Sequence, residues 1–314
     1  LISKNINHLR KIIFIEMKIG VIGLGTLGEY YVRDFKKFKT EIVASKNSTL
    51  LSTLKKNNLI KKKYNINLFA AKNYKDFFKK KFDTVLICSP SNLHLDHLEK
   101  SLKNKKNVII EKPIISLSKT KTEKYFKKKI KKILSYRKKI FYNLINEYYA
   151  KKYLKLFKKK DFKYKKFEMI YHTNGKHKYH DIMDDLLPHL FSILDNLIKY
   201  KKISNIKKKI FRDLNIIQFK ADNCQCNIEF LQNAKRKKLK FGLDNLLVER
   251  ETYEINETVK NFLICRSLKK RIKIDNPLTE NIKKIALNYK KYNKGKEYQK
   301  IQSNLTKSCK IYYA

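Results

Sequence analysis

At 314 residues the chain is long enough for about two domains. Apolar residues make up 42% and recur throughout, which excludes wholesale disorder, and no apolar run approaches the ~18 residues of a membrane-spanning helix. The 75 Lys and Arg stand against 28 Asp and Glu, a net charge of +47, but only eight of the basic residues are Arg and the Lys are scattered over every segment. That is the pattern of a solvated surface, so no specific nucleic-acid partner is expected. Five Cys, an odd number, do not make a disulfide framework, so the expected compartment is the cytoplasm.

Met17 opens the first strand pattern, so residues 1–16 are expected to be an extension outside the fold. Four of the seven Gly fall between positions 20 and 28, in Gly20-Val21-Ile22-Gly23-Leu24-Gly25-Thr26-Leu27-Gly28. A β-rich run enters a tight turn and a helical pattern follows, the context that a dinucleotide-binding G-x-G-x-x-G needs. Gly23 permits the turn, Gly25 lets the backbone approach a pyrophosphate, and Gly28 lets the helix pack close to the strand. The helix N–H groups, with Thr26 and Leu27 beside them, then face the phosphates.

Strand patterns follow at 41–45, 67–71, 83–88 and 107–111, with helical stretches at 48–58, 73–80 and 92–104 between them. This alternation predicts a doubly wound parallel sheet over residues 17–117. A basic helix at 118–135, a strand at 139–143 and a helix at 147–158 come next. Strands are expected at 167–172, 215–220, 225–231, 238–241 and 253–255, with helices at 184–200 and 277–292. Several of these strands alternate apolar and polar residues, as an open antiparallel sheet does. The expected class is α/β: a Rossmann domain, then an α+β domain over 118–314 with an open, mainly antiparallel sheet. Cys224 and Cys226 fall on one strand face as buried thiols. No His or Cys spacing matches a closed metal site, and no metal is expected.

Three constellations carry chemistry. Ser89-Pro90 and Glu111-Lys112-Pro113 lie just beyond the carboxyl ends of parallel strands, where open α/β sheets bind ligands. Lys112 is therefore expected at the cofactor edge, beside a Pro able to adopt the cis form. Asp185 and His189 are four apart on one helical face, with Pro188 expected in the first turn. His189 would then sit near the positive helix end, which favours the neutral imidazole. Tyr179 and His180 are expected to line the substrate pocket, while His97 reads as surface.

These motifs in this order, GLGTLG after a strand, CSPSNLH, EKP and D-x-x-x-H, resemble the glucose–fructose oxidoreductase / inositol dehydrogenase family from Met17 onward. The resemblance implies that Lys112, Asp185 and His189 face nicotinamide and substrate, that His94 lies near the nicotinamide ribose, and that the protein self-associates through its second sheet. It implies an NAD(P)-dependent oxidoreductase acting on a CH–OH group of a sugar, sugar nucleotide or polyol. Leu187 stands where that family has Gly, and the stretch 143–150 lacks its Arg. The alternative is therefore a catalytically silent NADP-binding sensor or partner subunit. After the second strand, Ser45-Lys46-Asn47 offers a hydroxyl, a cation and an amide in place of the acidic residue that binds an NAD ribose. NADP is expected over NAD.

Overall fold

The computed structural model describes residues 17–38, 40–119, 122–136, 138–158, 164–255 and 258–314. The expected extension 1–16 lies outside them. Six strands, β1 (Lys18–Ile22), β2 (Glu41–Lys46), β3 (Phe69–Ala70), β4 (Thr84–Ile87), β5 (Asn107–Ile110) and β6 (Ile140–Tyr142), form a parallel sheet. Its order is β3-β2-β1-β4-β5-β6, so the crossovers reverse direction between β1 and β4. KIGVI, TVLI and NVII are nearly all apolar because helices cover both faces of the sheet. Those helices include α1 (Thr26–Lys37), α2 (Leu50–Tyr64), α3 (Tyr74–Phe78), α4 (His94–Lys103) and α5 (Glu123–Ser135). Through α5 and β6 the first sheet extends past residue 117.

After α6 (Glu147–Phe157), the second sheet begins with β7 (Lys166–His172), which leads into α7 (His180–Leu197). The strands that follow are β8 (Ile203–Ile210), β9 (Leu214–Ala221), β10 (Cys224–Leu231), β11 (Lys238–Leu243), β12 (Leu246–Ile255), β13 (Thr258–Cys265) and β14 (Lys270–Ile274). Their order is β14-β13-β12-β11-β7-β10-β9-β8. All neighbours are antiparallel except β7 and β10, which run parallel and so end side by side. Strict alternation in β10 buries Cys224, Cys226, Ile228 and Phe230 against α7 and leaves the other face open.

Two helices then return to the first sheet. α8 (Pro277–Asn288) starts with Asn276 capping the backbone N–H of Leu278, and it buries Ile282 and Ile285 in one cluster with Tyr31, Val32 and Phe35 of α1. α9 (Lys294–Tyr313) buries Ile301, Leu305 and Cys309 with Phe126, Ile130 and Ile133 of α5. Between them the exposed edge of β6 is capped by side chains. The Tyr292 hydroxyl accepts from Ile140 N at 3.0 Å, and Lys300 donates to Tyr142 O at 3.1 Å. Such capping removes a template for stray strand pairing.

The sequence patterns did not anticipate β8, β13, β14 or α9. In ISNIKKKI and KRIKI, Lys and Arg occupy the solvent-facing positions of an edge region, and the apolar half of the alternation is thin. The expected helix at 277–292 ends at Asn288, and the one at 184–200 starts at His180.

Candidate active site

The glycine turn meets its requirements one residue at a time. Gly23 has φ +92, and a Cβ there would meet Ser89 N at 2.3 Å, so the β1 and β4 turns touch only because the side chain is missing. At Gly28 a Cβ would lie 2.4 Å from Gly23 O, which is the close helix–strand packing expected of it. At Gly25 nothing lies within 4 Å. Its missing side chain faces a cleft of about 510 Å³, walled by Thr26 and Leu27, by Lys46 and Asn47, and by Ser89 and Pro90. A dinucleotide fits this place: backbone is free to meet a pyrophosphate, at the start of a helix, at the switch point of the sheet.

The β2 end shapes one wall. Asn47 Oδ1 accepts from Leu24 N at 2.7 Å and so ties the glycine turn to β2. Lys46 is largely buried, which lowers its pKa, and its ammonium donates to the carbonyls of Asn47 and Ser48. Ser48, Ser52 and Lys56 continue the wall, and none of the cleft-lining residues is acidic. Ser45 turns away instead; its hydroxyl donates to Asn57 Oδ1 at 2.5 Å beneath α2.

His94 joins this cleft to the next strand end. One ring nitrogen bonds Ser89 O and the other Pro113 O, each at 2.7 Å, so the Ser89-Pro90 and Lys112-Pro113 segments are held together. The Lys112–Pro113 peptide is cis. Lys112 then crosses to the second domain, donating to the carboxylate of Asp185 and, at 3.0 Å, to its backbone carbonyl. Burial alone would raise the Asp185 carboxyl, but the Lys112 charge and hydrogen bond outweigh it and hold the pKa at about 2. The other carboxylate oxygen, Oδ2, accepts from Gln232 Nε2 at 3.1 Å.

His189 is on the same face of α7 as Asp185, as its spacing requires, but two expectations about it are corrected. Pro188 lies inside α7, far from the first turn, so the helix N-terminus does not reach His189. The neutral imidazole has another origin: burial, with the Lys112 charge adding to it, lowers the pKa to about 3. Nor does Asp185 orient the ring by a hydrogen bond, because its carboxylate is engaged by Lys112 and Gln232 and His189 Nδ1 is buried without a partner. Tyr171, from β7, packs edge-on against the imidazole at 5.4 Å between centroids.

Other expected site residues fall elsewhere. The Glu111 carboxylate points into the core, where Tyr31 and Asn143 donate to it. Tyr179 is 55% exposed at the start of α7, and His180 faces Tyr312, so neither contacts the Lys112–Asp185 pair. His177 is close enough to lower the Asp185 carboxyl. His97, read as surface, is buried. Its ring bonds Tyr74 at 2.5 Å and Ser89 at 2.8 Å on the floor of the cleft, and burial pulls its pKa to about 4. Its helix periodicity held the only signal, since His97 shares the α4 face of Leu98 and Ser101. Gln232 and Tyr171 had none, because only the parallel pairing of β7 with β10 brings them to the site.

Residues 17–137 match the oxidoreductase family with an NAD-binding Rossmann fold. Among curated protein sequences none matches significantly. Several solved structures share the fold of both domains. UDP-N-acetylglucosamine 3-dehydrogenase from Acidithiobacillus ferrooxidans is 14% identical at a TM-score of 0.66, covering 96% of this chain and 98% of its own. An oxidoreductase from Thermotoga maritima is 14% identical at 0.71, covering 95% and 96%. A 3-ketoreductase from Actinomadura kijaniata in complex with NADP is 10% identical at 0.66, also covering 95% and 96%. The glycine turn, the cleft it opens and the Lys112 segment that His94 ties to it thus all lie within residues 17–137, the part of the chain that matches the oxidoreductase family with an NAD-binding Rossmann fold.

Proposed function

We propose that the protein interconverts a carbinol and a carbonyl carbon of a sugar, a sugar nucleotide or a similar polyol, with NADP preferred over NAD. The observation that carries this reading is the Lys112–Asp185 ion pair, whose Lys112-Pro113 segment His94 ties to Ser89 on the wall of the glycine-turn cleft. A nicotinamide dinucleotide held in that cleft would supply the hydride donor or acceptor. An ammonium has three donors, and Asp185 takes two of those on Lys112, which leaves one for the reacting oxygen. That donor stabilises the negative charge growing on the oxygen as the hydroxyl proton leaves. His189, neutral near pH 7, takes this proton in oxidation and returns it in reduction. With Nδ1 buried, Nε2 is the nitrogen assigned to the exchange.

The NADP preference rests on the wall of the cleft: Lys46 and Lys56 are cations there, Ser48 and Ser52 are hydroxyls, and no carboxylate is present to bind a ribose 2′-hydroxyl or repel a phosphate. Two of the similar structures, the UDP-N-acetylglucosamine dehydrogenase and the NADP-bound ketoreductase, fit the same reading. Self-association is assigned to the open face of the second sheet. Its central strands carry Glu168, Glu229, Glu249 and Glu251 against Lys166, Lys238 and Lys240, with Ile170, Ile216 and Leu247 among them. In a chain of net charge +47, two copies repel least where these central strands meet, since the same face turns basic toward its edges at Lys207, Lys209, Lys220, Arg271 and Lys273.

The test is turnover. Sugar nucleotides, free sugars and cyclic polyols are offered with each cofactor, and reduced nicotinamide is followed by its absorbance. Hydride transfer with at least one of them supports the reading. Tight cofactor binding without transfer to any substrate, at neutral and mildly alkaline pH, would replace it with the silent-subunit alternative.

A further inference from the structure

Gln232 lies immediately after β10, and its side chain is 1% exposed. Both ends of its carboxamide are committed. Nε2 donates to Asp185 Oδ2 at 3.1 Å, and Oε1 accepts from Thr173 Oγ1 at 2.9 Å. Thr173 is the residue that follows β7, and its hydroxyl also accepts from Gly175 N at 3.2 Å. The two strand ends are laced together by backbone as well: Thr173 N donates to Leu231 O, Asn233 N to Gly175 O and Ala234 N to Thr173 O. Gly175 leaves the room that this requires, since a Cβ there would come within 1.8 Å of Gln232 Oε1.

We infer that Gln232 is a positioning residue for the Lys112–Asp185 pair, fixed in orientation by Thr173 and seated by Gly175. The inference rests on the proposed dehydrogenase reading for its effect on catalysis. Lys112 occupies Oδ1 of Asp185, so without a donor on Oδ2 the carboxylate is free to rotate about its side chain and carry the ammonium with it. A carboxamide held only by Asp185 would present its oxygen or its nitrogen with equal ease. The Thr173 hydroxyl, donating to Oε1, settles that choice. The second sheet thereby holds a group whose partner, Lys112, belongs to the first.

Two variants of Gln232 separate positioning from mere packing. Gln232→Leu keeps the volume and removes the donor, and kcat is expected to fall about tenfold or more with KM for the cofactor unchanged, the scale of one hydrogen bond to a charged group. Gln232→Glu places a second carboxyl against Asp185, where Lys112, His177, His189 and the Tyr171 hydroxyl are the other titratable neighbours. Ionised, it repels Asp185. Protonated, it restores both bonds, donating to Oδ2 and accepting from Thr173. The Gln232→Glu enzyme should therefore recover activity as pH falls, a limb absent from the wild type. A wild-type pH profile with unchanged kcat in both variants would overturn the inference while leaving the dehydrogenase reading intact. Should the wild type itself show no hydride transfer, carbon-13 NMR of the Asp185 carboxyl still decides. Its titration is expected to move upward in Gln232→Leu, which has no donor at any pH, and an unmoved titration in that variant is the contrary result. If either Gln232 variant fails to fold, Thr173→Val, which frees the Oε1 end and the Gly175 N–H but keeps the donor on Asp185, is expected to give a weaker loss of the same kind, and no loss counts against the proposal.

Discussion

In the proposed reaction Lys112 and His189 serve one oxygen from opposite domains, and each contributes a different property. Lys112→Met keeps the length of the side chain and removes its charge and donors; His189→Asn removes the exchangeable proton. Each variant is expected to bind cofactor almost normally and to lose about a hundredfold or more in kcat, the range of a single acid–base or oxyanion group. The double variant should lose less than the product of the two, since groups serving one oxygen are coupled. Steady-state kinetics with a verified substrate, alongside cofactor titration, measures all three. At the other end of the cleft, Lys46→Ala and Lys56→Ala are each expected to weaken NADP more than NAD, by up to about tenfold, the scale of one charge-assisted hydrogen bond to a phosphate. Equal losses for both cofactors, titrated at fixed salt, would assign these lysines to general attraction. Ser45 and Glu111 should not behave in this way, because their side chains bond Asn57 and the Tyr31–Asn143 pair inside the core.

Among the elements, α7 carries Asp185 and His189 and is clamped to the segment that follows Lys112. Asp184 does this. Its carboxylate is buried and accepts from Ser116 Oγ at 2.5 Å and from Leu117 N at 2.8 Å. Asp184→Ala removes the buried acceptor of both bonds, and about 1–3 kcal/mol of stability should be lost, seen as a lower midpoint in urea. A loss in kcat larger than the loss in cofactor affinity would follow from the slackened approach of α7 to Lys112. This clamp illustrates what the sequence could and could not reveal. The D-x-x-x-H spacing put Asp185 and His189 on one face, and α7 confirms it. The same spacing held no hint that the carboxylate would turn to Lys112 and Gln232, nor that Pro188 would lie in the middle of an 18-residue helix. Helical periodicity specifies faces, whereas partners are chosen by whatever packs against them.

For the whole molecule, buried histidines make stability sensitive to acid. In the folded protein, His97 is held neutral down to about 4 and His189 to about 3, against 6.5 for a free side chain. The unfolded chain therefore takes up protons that the folded one refuses, and stability is lost as pH falls from 6.5 through this window. The Asp185 carboxyl, lowered from 3.8 to about 2, keeps its contribution above pH 4 and loses it as pH falls on through about 2. Thermal melts should show a midpoint dropping between pH 7 and pH 4.5. In the His97→Asn, His189→Asn double variant that drop should be shallower. On the open face of the second sheet, Ile170→Lys and Ile216→Lys should shift sedimentation toward the monomer without altering the melting profile of the domain, as both side chains face away from the core.

What the sequence by itself determined is the part governed by short-range chemistry. The glycine spacing after an apolar strand, the β–α alternation and the Pro beyond the ends of β4 and β5 dictate a parallel sheet with a dinucleotide cleft. There the turn geometry and the buried strands leave few alternatives. Gly25, opening on that cleft, is the clearest instance. Only the tertiary structure decided which side chains meet across the domains. Lys112 and Asp185 are 73 residues apart, and Gln232 is another 47 beyond, so no local period relates them. They converge because β7 and β10 run parallel in an otherwise antiparallel sheet and end together, opposite the end of β5. The same distinction separates Glu111 from Lys112. They are adjacent in the chain, but alternation beyond the strand sends one carboxylate into the core with Tyr31 and Asn143 and the other side chain out to the site.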